Sequence, residues 1–520
     1  MNFQSGLGRI KEMKHPLAVL MVFGIVLRLV LMPLFSFNID LTYWMKVFVL
    51  IDGGNDLYSV GGYYYTPVWG YVLGAMDGLA HLLGVTDFGT LEPEMYPYQG
   101  KDYSISPYIT SIAFNFIVKV PLLLTDVAVA YLLYGFVKRI ADENKALLAC
   151  LLWFLCPLTL LESAVHAMFD NMSAMFMLMA FIAAYDRKYL LAGGVYILAI
   201  FTKFFPLFFV FLLVAIVFRN EGINMSAIKA VGKGLVSAVA VMLIIELPAI
   251  IRGQFWDTID FMTQRVGVSA NTLDSMGIWF FAGLFALILI LGLVLLYFCR
   301  IRPDIIRTRF LDISQEEREA KVRRIAIRVA AVMTVLVLLY SVYSLMVTDS
   351  FTFVDLFNLL GKRFVLLLSV YTLILEAYIA YRFLFSEGEG TSPYLRAFML
   401  SAIVIFLWPP SPQYLMVILP AIVLYAAVED CRFIRPYLLM CTLMALYDIV
   451  LAGPSPIFSL AEYTSLIDIS SLIPMVGFVT SYIFGGVPTI AAFMAVFGGA
   501  AYLSLLYILY ISFIARRHPS

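Results

Sequence analysis

Residues 17–44 read LAVLMVFGIVLRLVLMPLFSFNIDLTYW. From Leu17 to Phe37 the run carries a single charge, Arg28. At a rise of about 1.5 Å per residue it is long enough to cross a hydrocarbon core of about 30 Å as one helix. It then stops at Asn38 and Asp40, and Tyr43 and Trp44 follow. The pattern is a spanning helix that hands over to the water boundary. The remaining sequence repeats the theme. Of 520 residues, 62% are hydrophobic and 13% charged, with a mean hydropathy of +0.93, against a charged share of about 25% in soluble chains. Soluble domains cannot hide that much apolar surface, so the chain reads as an all-α polytopic membrane protein. A net charge of zero opposes a nucleic-acid partner. Five cysteines (Cys150, Cys156, Cys299, Cys431 and Cys441) lack metal or framework spacing and read as packing residues.

Further apolar runs cover 112–137, 146–165, 171–185, 189–203, 205–218, 230–250, 276–299, 326–348, 364–381, 394–410, 411–428, 436–452 and 488–514. Several are short, so the expectation is about 12–14 spans or half-spans. Lys and Arg gather on the cytoplasmic side of a membrane. With the N-terminus inside, 26 of the 35 Lys and Arg residues fall in inside segments, nine of them between Arg300 and Arg328. An even span count with both termini cytoplasmic follows. Arg9, Lys11 and Lys14 precede a first run too long for a cleavable signal. Residues 66–85 are apolar enough to cross, but crossing would send Lys138 and Arg139 outside and invert every later loop. Residues 38–111 are therefore a large first external loop with interfacial helices. The domain reading is a cytoplasmic 1–16, a transmembrane module 17–299, a basic cytoplasmic loop 300–328 and a C-terminal transmembrane module 329–520.

An acid directly after the first span can ionise at the boundary while the lipid side strengthens its field. Asp40 is such an acid, and a carboxylate there can take a proton from an acceptor hydroxyl. A solvated loop acid is the plainer reading of Asp40 taken alone. The hairpin 189–218 has inside charges at both ends, Arg187, Lys188 and Arg219, and each leg of about 15 residues reaches only about 22 Å. Its break at Lys203-Phe204-Phe205-Pro206 should lie within the membrane against a protein-lined cleft. An ammonium held there needs an anion, and a lipid phosphate would serve; snorkelling to the outer side is the alternative.

Asn38-Ile39-Asp40, Leu57-Tyr58 and Tyr63-Tyr64-Tyr65-Thr66-Pro67 occur in the order of an acidic D-x-D-Y stretch, a P-Y segment and Y-x-Y-T-P. That order resembles the GT-C glycosyltransferases, closest to the catalytic subunit of GPI mannosyltransferase I and its prokaryotic relatives. Asn38 stands where the family has the first acid. Lys119-Val120-Pro121 with Asp126 resembles the family's second span, and Cys156-Pro157 with His166 and Asp170 its N-P…G-Q-x-D stretch. Lys203 to Pro206 resembles K-x-x-P, and Arg265 followed by Asn271 resembles an external Arg…Asn loop. Ser411-Pro412-Gln413-Tyr414 with Pro420 resembles H-x-Q-Y…P, without its His. His166 and Asp170 are four apart, so a continuing helix would set them on one face, as a structural contact or as site residues. Arg28 pairs with Asp126 or approaches the donor. Asp126 is a structural partner or acts directly, and Arg265 grips a phosphate or is an exposed loop residue.

The resemblance implies a GT-C fold and transfer of a hexose, mannose by likeness, from a polyprenyl- or dolichyl-phosphate donor to a glycolipid or lipid-linked glycan hydroxyl, with inversion. Asp40 would be the base, and Lys203 and Arg265 the phosphate contacts. Asn38, Tyr65, His166, Asp170, Asn271, Gln413 and Tyr414 would bind substrate. No cofactor is required, because the lipid phosphate departs without a nucleotide; a divalent metal is left open by Asn38. Besides membrane lipid, an accessory membrane subunit is a possible partner. A lipid or ion transporter and a non-catalytic polyprenyl-phosphate-binding subunit are the competing classes. The active site is expected on the external or luminal side.

Overall fold

The structure of the protein is a computed structural model that describes residues 15–58, 63, 65–90, 95–98, 101–104, 109–256, most of 314–335, 371–406 apart from 387 and 389, 412–475 and 488–514. The architecture is all-α and polytopic. Helix α1 (Pro16–Leu34) begins with proline in its first turn, where the missing N–H costs nothing. Helices α2 (Asn38–Asp52) and α3 (Pro67–Leu82) follow in the segment read as external. A short hairpin of β1 (Met95–Tyr98) and β2 (Lys101–Ser104), which apolar patterning did not suggest, pairs Tyr96 with Tyr103. Then come α4 (Ile112–Ile140), α5 (Glu143–Phe154), α6 (Asp170–Tyr185), α7 (Tyr189–Thr202), α8 (Val210–Glu221) and α9 (Met225–Ile251). After them lie α10 (Ser392–Val404), α11 (Leu419–Val428), α12 (Ile434–Ala452) and α13 (Phe458–Tyr463), and last α14 (Pro488–Ile514).

Among the described residues, Pro16–Leu34, Ile112–Ile140, Met225–Ile251 and Cys431–Val450 are long and apolar enough to cross a membrane. Glu143–Phe154 with Pro157–Val165 makes a fifth if this pair, bent by 44°, is one broken span. Other runs fold into shorter apolar helices, α6, α7, α10 and α11 among them. Neither α2 nor α3 is long enough to be such a helix. Run 276–299, residues 336–348 of the run 326–348, residues 364–370 of the run 364–381 and most of the basic segment 300–328 lie outside the described residues; the described positions between 317 and 335 are helical.

The chain forms two compact units. One holds residues 1–179, 198–204 and 409–520, and the other 180–197 and 205–408. In the second, Phe181 stacks on Phe398 at 4.1 Å, and Arg219 donates to the Phe383 and Gly388 carbonyls and to Ser386 Oγ. Helices α7 and α9 cross at Gly193, where a Cβ would come within 2.0 Å of the Gly234 carbonyl oxygen. Small residues at a crossing let two backbones approach.

In the first unit, α1, α4 and the bent pair Glu143–Phe154 and Pro157–Val165 are locked by a buried polar network. Arg28 Nε lies 2.8 Å from Asp126 Oδ2, both side chains fully buried. Asn171 Nδ2 donates to Asp126 Oδ1 at 2.8 Å and Ser163 Oγ to Oδ2 at 2.6 Å. Arg28 Nη1 also donates to the Phe154 carbonyl at 2.8 Å, with its guanidinium over the Phe154 ring. A buried charge needs such a partner, so the choice left open for Arg28 resolves in favour of Asp126. Lys119 Nζ donates to the Met32 and Phe35 carbonyls at the end of α1, which have no helical partner there. Cys150, Cys156 and Cys441 are buried free thiols; Cys431 is exposed, and Cys299 lies outside the described residues.

Candidate functional site

Helix α1 ends at Leu34, and the backbone after it is tied on both sides. Ser36 N donates to the Pro456 carbonyl at 2.9 Å and Phe37 N to the Val165 carbonyl at 3.3 Å. Ser36 Oγ also meets Ser459 Oγ at 2.8 Å. The chain leaving α1 thus meets both the segment that follows α12 and the end of the bent pair at Val165.

Helix α2 starts there, with Asp40 in its first turn. Four residues on, Trp44 Nε1 donates to the Ala167 carbonyl at 3.2 Å. Residues four apart share a helix face, so Asp40 is aimed at the turn 166–170. That turn is irregular. Leu160–Val165 winds as a π-helix, Ala167 sits at φ +60°, and α6 begins only at Asp170. π-turns and left-handed non-glycine residues concentrate at functional sites.

The irregular turn overturns the shared face expected for His166 and Asp170, because that spacing rule holds only while a helix continues. His166 instead stacks on Phe37 at 4.5 Å, and its Nδ1 lies 2.9 Å from Asp448 Oδ2 and 3.6 Å from Glu162 Oε2. Asp170 faces Lys203, with 3.2 Å between Oδ2 and Nζ.

Lys203 follows α7 directly, and a 3-10 turn, Phe205–Phe209, comes after it, so the expected break is present. Thr66 Oγ1 donates to the Thr202 carbonyl at 2.5 Å, which brings the Tyr65 segment to this helix end. The Lys203 ammonium stands 4.9 Å from the Tyr65 ring centroid, 4.4 Å from Phe169 and 5.1 Å from Tyr414. Three aromatic faces and one carboxylate therefore hold a lysine that is 6% exposed. Sequence reasoning expected a lipid phosphate as its anion, but Asp170 already fills that role, so a phosphate would have to compete for Lys203.

Asp40 lies on α2, outside the spanning helices. Burial pushes its carboxyl up to about 7; His166 and Lys203 pull it down, and Asp448 and Asp170 push it up. The chain thus gathers Asp40, Tyr65, His166, Asp170, Lys203 and Tyr414 within one unit. Gln413 is half-buried beside Tyr414, in the turn Pro412–Leu415. Asp126 and Arg28 belong to the separate network described above. The side chain of Asn38, and the whole of Arg265 and Asn271, lie outside the described residues. Sequence reading missed Glu162 and Asp448. Each is an acid inside an apolar run, and that alone is a signal.

No protein-family model matches the chain, and no curated protein matches it. A solved structure, the oligosaccharyltransferase of Archaeoglobus fulgidus in its apo form, is similar over 93% of this chain and 56% of that one, at 14% identity and a TM-score of 0.38. The chain spans a little over half the length of that protein.

Proposed function

We propose that the protein is a membrane glycosyltransferase of GT-C type, moving a hexose, mannose by resemblance, from a polyprenyl or dolichyl phosphate to a hydroxyl of a glycolipid or lipid-linked glycan. The observation that carries this reading is Asp40, a carboxyl held near 7 in the same electrostatic neighbourhood as Lys203 and His166. A general base is most effective with a pKa near the working pH. In the proposed step Asp40 takes the proton of the acceptor hydroxyl. The acceptor oxygen attacks the anomeric carbon from the face opposite the phosphate, inverting it. The anomeric carbon–oxygen bond breaks, and its electron pair leaves with the lipid phosphate. Lys203 exchanges part of its contact with Asp170 for that phosphate and steadies its charge as it leaves. Tyr65 and Tyr414, which frame the ammonium, are placed to flank the donor head. The charge bias of the loops supports an external or luminal face for this chemistry and cytoplasmic termini.

The test is incubation of the purified chain with a panel of radiolabelled polyprenyl-phosphate sugars and total membrane lipid, wild type beside Asp40→Asn. A labelled acceptor with wild type only is expected. Donor uptake into vesicles without a transfer product would replace the proposal with transport.

A further inference from the structure

Glu162, His166 and Asp448 carry more than the transfer reaction asks of them. Glu162 comes from the π-turn, His166 from the residue after it, and Asp448 from α12. None is more than 5% exposed, and their donor atoms all lie within 4.8 Å of one another. Among the described residues, no hydrogen bond reaches either oxygen of Glu162, nor Asp448 Oδ2, nor His166 Nε2. Asp448 Oδ2 and His166 Nδ1 are 2.9 Å apart.

Charge and spacing both accommodate a bound cation. Two carboxylates and an imidazolium would leave one net negative charge in a place that excludes water, which is costly unless a proton on Glu162 or a bound cation removes it. Two carboxylates, a neutral imidazole and a dication sum to zero. Ligand atoms about 2.1 Å from a common cation lie about 3.0 Å apart at octahedral angles and about 3.4 Å apart at tetrahedral ones. The contacts of 2.9 and 3.6 Å match those edges. One imidazole nitrogen with two carboxylates suits a borderline ion such as Zn²⁺ or Mn²⁺ better than Mg²⁺ or Ca²⁺, which prefer oxygen alone.

We propose that Glu162, His166 and Asp448 form a binding site for a divalent transition-metal cation. The cation joins the end of the broken span to α12 and lies within electrostatic reach of Asp40. Lys203 does not substitute for it, since its ammonium faces Asp170. The site does not depend on the transferase reading, and its test involves no transfer.

Full-length protein in detergent is stripped with chelator, incubated with Zn²⁺ or Mn²⁺ and passed through a desalting column. One equivalent per chain is expected by elemental analysis. The melting temperature should rise with metal concentration. Glu162→Gln and Asp448→Asn should each weaken retention at least tenfold. Asp52, Asp77 and His81 form a second, more exposed group of possible ligands, so His81→Ala serves as the control and should keep its metal. Should the acid variants misfold, Mn²⁺ bound to the His81→Ala variant should still show histidine nitrogen coupling in pulsed electron resonance. Stripped wild type that retains no metal, or retention lost in His81→Ala and kept in Glu162→Gln, would overturn the assignment.

Discussion

Asp40→Asn should make the protein inactive and, above neutral pH, more stable. Burial pushes the Asp40 carboxyl up to about 7, so folding favours its protonated form. The sign follows from linkage: the contribution of a raised carboxyl is full below its unfolded value of about 4 and is lost as pH rises through about 7. At pH 8 the wild type carries an ionised Asp40 that the fold resists, whereas asparagine is neutral throughout. A displacement of about three pH units sets an upper bound of about 4 kcal/mol. Asp40 keeps partial contact with solvent, which screens its charge and reduces the expected gain to on the order of 1–2 kcal/mol. The assay is thermal melting of wild type and variant at pH 5 and pH 8, in chelator-treated buffer so that no bound cation alters the field. The variant should be slightly higher at pH 5, where about a third of the difference has already appeared, and clearly higher at pH 8. Transfer should fall by about 10²–10⁴-fold in the variant. In wild type stripped of metal it should rise about fivefold to tenfold between pH 6 and pH 8, as the ionised fraction grows from about a tenth to about nine tenths. A variant less stable than wild type at pH 8 would instead make Asp40 a satisfied structural charge and not a base.

Three further outcomes follow from the packing. Arg28→Met should cost about 3–5 kcal/mol by leaving Asp126 buried without its counterion, and the double change Arg28→Met with Asp126→Leu should recover most of that in denaturant melts. If Lys203 contacts donor phosphate, Asp170→Asn should tighten polyprenyl-phosphate binding several-fold by removing a competitor 3.2 Å away; unchanged affinity in a fluorescence titration would assign the pair a structural role. Gly193→Leu should destabilise the second unit by about 3 kcal/mol or more, because its Cβ meets the Gly234 carbonyl oxygen, a backbone atom that cannot rotate away; thermal melting reads the loss.

Much of the membrane architecture is legible without coordinates, because hydrocarbon imposes one rule on every span. Apolar runs of sufficient length mark α1, α4, α9 and α12. A charge inside such a run is costly enough to draw notice, and so Arg28, Asp126 and Lys203 stand out in the sequence. Asp40 stands out for the opposite reason, as the first acid after a span. The break at Lys203 follows from two legs that are each too short.

What only tertiary structure decided is which partner each charge meets. His166 and Asp170 are neighbours by helical spacing, yet the π-turn and the left-handed Ala167 turn them to different partners. Asp448 lies nearly three hundred residues from His166 in sequence and 2.9 Å from it in space. Periodicity reports on one helix at a time, whereas counterions in a buried site are chosen by the packing of several, and no local pattern encodes that choice.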